Sequence, residues 1–113
     1  MTPNEFQQRV VDLARFTSDP TMRAVLGVGS EAGELASILR ETLVCGNDPD
    51  PTRLMVEFGD VLYYTVLGLK AAGFTLEETM EWTLLKMKRR RTFGKNKEDE
   101  AMLLFEYISK IRR

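Results

Sequence analysis

Apolar residues in this chain recur every three or four positions and hardly anywhere alternate with polar ones, which restricts it to helices packed on helices. Phe6, Val10, Leu13 and Ala14 share one side of a helix read over residues 3–16. "TSDP" interrupts it; Ser18 or Asp19 suits a cap and Pro20 a first helical position. A second helix is read from Pro20 to Leu43. Gly27, Gly29 and Gly33 each weaken it by about 1 kcal/mol against alanine, which leaves room for a bend or loop at 27–30. "CGNDPDPT" is the strongest break. Thr52 then reads as the cap of a third helix carrying Leu54, Val61, Leu62, Leu69 and Ala72 and ending at Gly73. "TLEE", with Thr75 and Glu78 as a capping box, opens a fourth helix that runs through Trp82 and Leu85 into "KMKRRR". After the polar "FGKNKEDE" a last amphipathic helix, about 98–113, sets Met102, Phe105, Ile108 and Ile111 on one side. The expected architecture is an all-α bundle of four to five helices, one domain over residues 1–113.

Two acidic pairs stand inside this apolar pattern: Glu31 and Glu34 in "GSEAGEL", and Glu57 and Asp60 in "EFGD". Residues three or four apart share a helix face, so each pair sits at or beside the packed side of its helix. A buried carboxylate needs a proton, a cation or a metal. An antiparallel pairing of the two helices would converge all four groups. There is no histidine, which excludes Ser-His-Asp and Cys-His catalysis, histidine-based metal sites, and the Glu-x-x-His pairs of di-iron bundles. An all-oxygen donor set favours Mg2+, with Mn2+ or Ca2+ as neighbours, and with Mg2+ a phosphate-bearing substrate. A solitary ExxE is common on solvated faces; two flanked by apolar residues are less so.

Composition narrows the setting. Net charge is −1, so no global field favours nucleic acid or an acidic membrane. No run of about 18 uncharged apolar residues is present, and the N-terminus lacks a signal-peptide pattern. The single cysteine, Cys45, fits a reducing cytoplasm.

"GVGSEAGELASILRET" followed by "EFGDVLYYTVLGLKAAGFTLEETMEWTLLKMKRR" resembles the MazG-like nucleoside triphosphate pyrophosphohydrolases, over about residues 20–91 and more loosely in "NEFQQRV". Their signature is ExxE, a spacer, then ExxD; here 22 residues separate Glu34 from Glu57. The resemblance implies that Glu31, Glu34, Glu57 and Asp60 hold Mg2+ at a triphosphate. It also implies cleavage between the α and β phosphates to a nucleoside monophosphate and pyrophosphate. Tyr64, four residues after the Asp, and Lys86 and Arg90 on the basic helix match the family's phosphate contacts. Thr83 stands where the family commonly carries Asn, and Ser30 where it often has an acidic residue. The family's assemblies imply a homo-oligomer, tetramer before dimer.

These residues permit a mechanism of positioning and charge neutralisation. Glu31 or Glu34 would take the proton from the attacking water, and Lys86 and Arg90 would offset charge on the leaving pyrophosphate. Lys88, Arg89 and Arg91 read as complements of the helix dipole. Tyr63, Trp82 and Phe16 are aromatic candidates for a base, though packing is the commoner use of such positions. Neither base nor sugar is legible, nor whether the role is house-cleaning, pool control or alarmone removal. Two rivals stand beside this reading: a nucleic-acid module using Lys86 to Arg91, and a non-catalytic metal- or nucleotide-binding regulatory bundle.

Overall fold

A computed structural model describes residues 1–14 and 18–113. Among them are five helices and no strand: α1 (Pro3–Leu13), α2 (Pro20–Cys45), α3 (Pro51–Ala72), α4 (Leu76–Phe93) and α5 (Lys97–Ile111). The all-α expectation is met. The chain forms two compact units, Met1–Leu76 and Glu77–Arg113.

In the first unit every helix opens with a capping side chain followed by proline. Thr2 and Glu5 form a reciprocal capping box ahead of Pro3. Asp19 accepts from the Met22 amide at 3.1 Å ahead of Pro20. Asp50, not Thr52, caps α3: its carboxylate accepts from the Thr52 amide at 2.9 Å, with Pro51 as first helical residue. Proline brings a preset backbone angle to that position, so the cap falls one residue before it. Gly73 ends α3 as expected. At φ 87° it allows the Phe74 amide to reach Leu69 O at 2.9 Å and its own amide to reach Lys70 O at 3.0 Å.

α2 and α3 pair antiparallel. Gly27 meets Tyr64, Ala24 meets Gly68, and Glu41 meets Arg53 at 2.8 Å, so numbers on one helix fall as those on the other rise. α2 is helical through residues 27–30, without the bend or loop its glycines allowed. The reason lies across the interface: a Cβ on Gly27 would stand 2.4 to 2.6 Å from the Tyr64 ring. The glycine is there for close approach. Val10, Ala24, Val66 and Leu67 form the buried core, with Phe6, Ala14, Tyr63 and Leu76 packed against it. Leu13, expected on the packed side of α1, is 79% exposed. The helix read to residue 16 ends at Leu13, and Phe16 lies outside the described residues.

One buried polar residue had no signal in the sequence. Gln7 is 4% exposed; its amide donates to Val66 O at 3.1 Å and Phe74 O at 3.0 Å and accepts from the Leu76 amide at 2.9 Å. All its polar atoms are matched, so burial carries no orphan penalty, and α1 is keyed to the end of α3.

In the second unit α4 and α5 form an antiparallel hairpin around Gly94–Asn96, a shorter break than "FGKNKEDE" suggests. Asn96 caps α5 by accepting from the Asp99 amide at 3.0 Å. Tyr107 lies against Trp82, ring centroids 6.0 Å apart. Met102 and Phe105, expected on the packed stripe of α5, are 69% and 74% exposed, while Ile108 and Ile111 are partly buried.

Candidate metal centre

The antiparallel register brings the acidic segments of α2 and α3 level with each other. Carboxylate oxygens of Glu31, Glu57 and Asp60 all lie within 4.8 Å of one another. Oxygens on opposite sides of one divalent cation are separated by about 4 to 5 Å, twice a Mg–O or Ca–O bond. Glu31 and Glu57 are partly buried and Asp60 is exposed, so the cluster runs from the helix interface to the surface. Glu57 Oε2 is buried with no hydrogen-bond donor among the described residues. A buried carboxylate oxygen without a donor is costly, and a cation is the partner its chemistry asks for.

The electrostatics agree. The Glu31 carboxyl is held above the usual carboxylate range, first by a hydrogen bond shared with Glu57, then by burial and by the charges of Asp60, Glu57 and Glu34. Glu31 is thus the member of the cluster whose ionised form is disfavoured where no counter-charge stands beside it. Glu34 stands outside the three-residue cluster. It is exposed and acts on Glu31 through its charge alone.

Tyr64 follows Asp60 by one turn on α3; its ring covers Gly27 and meets Tyr63 edge-on, centroids 5.2 Å apart at 87°. Tyr63 belongs to the shell of the core. Lys86 and Arg90 lie in the second unit, both partly buried on α4, and Arg90 is held by Glu100. Thr83 and Ser30 are exposed.

The sequence from residue 20 to residue 93 matches the family model of the MazG nucleotide pyrophosphohydrolase domain, well over half the chain. The chain belongs to the MazG family. Members of this family are generally nucleotide pyrophosphohydrolases, and the match spans both acidic segments and the whole of the basic helix α4. The family's all-α character agrees with the five helices described above. No solved structure matches the chain. Among the described residues no helix is long and apolar enough to cross a membrane.

Proposed function

We propose that this MazG-family chain is a Mg2+-dependent nucleoside triphosphate pyrophosphohydrolase that cleaves (d)NTP between the α and β phosphates, giving (d)NMP and pyrophosphate. The observation that carries this reading is the convergence of Glu31, Glu57 and Asp60 around a buried Glu57 oxygen that lacks a donor. Those three residues would hold the cation, Mg2+ first and Mn2+ as a substitute. A divalent cation there supplies charge neutralisation toward the triphosphate and lowers the pKa of water bound to it.

The chain's own groups do the rest. Glu34, exposed and outside the three-carboxylate set, is the group left to take the proton from the attacking water, and is favoured over Glu31 on that ground. As the water oxygen bonds to the α-phosphorus, the bond to the bridging oxygen breaks and pyrophosphate leaves. Lys86 and Arg90 are the cations proposed to meet its phosphates, and the Tyr64 hydroxyl a further donor.

A homo-oligomer, tetramer or dimer, is supported by apolar side chains left exposed in the first unit. Met22, Val25, Leu26 and Leu43 on α2, and Met55 and Phe58 on α3, are each more than half exposed. An exposed free Cys45 suits a reducing, cytoplasmic setting. A nucleic-acid role for the basic run is disfavoured by the net charge of −1, which gives no overall field toward a polyanion.

The test is pyrophosphate release from a panel of nucleoside triphosphates, with Mg2+ and with chelator, beside Glu34→Gln and Asp60→Asn. The expected result is Mg2+-dependent release that is lost in both folded variants. Mg2+ binding without turnover on any substrate would favour a regulatory bundle instead.

A further inference from the structure

The basic run of α4 meets the acidic start of α5 in two adjacent forks. Arg89 donates from Nε and Nη2 to Asp99 at 2.6 and 2.7 Å. Arg90 donates from the same two nitrogens to Glu100, the Nη2 bond being 2.9 Å. The forks are alike in pattern but differ in setting. The Glu100 and Arg90 side chains are 14% and 29% exposed, against 32% and 41% for Asp99 and Arg89. Arg89 lies over the Phe93 ring, 5.2 Å from its centre. Glu100 is stabilised as a carboxylate first by the Arg90 bond, and further by the charges of Lys86 and Lys95. Lys86 is one turn before Arg90 on the same face of α4. Glu100 therefore serves both cations assigned to phosphate.

A side-on fork uses two of the five guanidinium N–H groups and leaves three to meet a phosphate. It also fixes the plane of the guanidinium, which an exposed arginine would not hold. The far end of α5 is pinned as well. The Tyr107 hydroxyl donates toward Glu78 O at 2.9 Å and the Glu81 carboxylate at 3.0 Å, and Arg112 donates to the Glu78 carboxylate at 3.2 Å. Polar contacts thus join α5 to α4 near both ends of the hairpin.

We propose that Glu100 is a positioning residue, which holds the Arg90 guanidinium in one orientation beside Lys86 to receive the phosphates of the leaving pyrophosphate. This assigns α5 a part in the reaction and rests on the pyrophosphohydrolase reading. The neighbouring Arg89–Asp99 fork is the internal control, a pair of the same geometry with no phosphate role.

The experiment compares full-length wild type, Glu100→Gln, Glu100→Asp and Asp99→Asn in steady-state turnover with Mg2+. Inorganic pyrophosphate binding is followed by calorimetry, and folding by circular dichroism. Glu100→Gln should lower kcat/KM about tenfold or more and weaken pyrophosphate binding about as much, since a misplaced binding group is felt strongly in rate. Glu100→Asp should recover part of both. Asp99→Asn should stay within about twofold of wild type even where its melting temperature falls by as much as that of Glu100→Gln. Unchanged kcat/KM and pyrophosphate affinity in folded Glu100→Gln and Glu100→Asp would overturn the positioning role. Tighter pyrophosphate binding in Glu100→Gln would overturn it too, because Glu100 would then compete with phosphate. A wild type that neither turns over nor binds pyrophosphate would remove the parent reading and this inference together. Turnover in wild type with indifferent variants would remove this inference alone.

Discussion

At the level of single residues, Gly27 and Tyr64 make a close helix–helix approach. A methyl group on Gly27 would fall 2.4 to 2.6 Å from three ring carbons, so ring or helix must shift. Gly27→Ala should therefore destabilise the chain by about 1–3 kcal/mol, read as a lower urea midpoint with an unchanged slope. Read from sequence, the same glycine was a weak point in a helix, because propensity is a local cost and the need for close approach comes from the other helix. Glu31 makes an opposite prediction. Its folded pKa is raised, so the native state holds the proton more tightly than the unfolded state does. Ionisation at neutral pH thus costs stability, and the cost disappears as pH falls toward the ordinary carboxylate value. In chelator at pH 7, Glu31→Gln should melt above wild type while losing Mg2+-dependent turnover. The difference should close as the pH approaches about 4.5. A variant that melts lower at pH 7 would show that the acidic cluster is not strained without a cation.

Helix count and order were legible because their signals are local: prolines after caps, glycines after ends, apolar spacing between. What depends on a distant partner was not. Gln7 read as one polar residue among several on α1, yet it is buried with its side-chain amide bonded to the Val66 and Phe74 carbonyls and the Leu76 amide. Periodicity located an apolar stripe on α5 but not which part of it packs, and Met102 and Phe105 proved exposed. The α4–α5 hairpin is tied by charge, and its pH dependence follows. Asp99 and Glu100 are held below the usual carboxylate range, chiefly by hydrogen bonds from Arg89 and Arg90. Their stabilisation is complete above the ordinary carboxylate values and is lost as pH falls through the depressed ones. Wild type should therefore melt above Glu100→Gln at pH 7, with the gap closing below about pH 4 in thermal scans followed by circular dichroism. A gap that persists undiminished at pH 3 would mean that the fork does not stabilise the hairpin.

Across the whole chain, the acidic residues were visible as spacing before any coordinates. The family pattern further singled out their combination with "GDVLYY" and the basic helix. Their convergence needed the antiparallel register of α2 and α3, which the five-residue break Gly46–Asp50 permits but does not impose. The structure divides the four carboxylates unevenly. Glu31, Glu57 and Asp60 form the cluster, while Glu34 is left at the surface. That division sets three converging carboxylates apart from one exposed carboxylate, a distinction the repeated spacing of two like pairs could not supply. The most direct measurement is 31P NMR of a nucleoside triphosphate incubated with wild type and with Glu57→Gln, in Mg2+ and in excess chelator. The account predicts monophosphate and pyrophosphate resonances from wild type with Mg2+, and neither product with chelator or with folded Glu57→Gln. Release of diphosphate and orthophosphate, or turnover that survives both the chelator and Glu57→Gln, would contradict it.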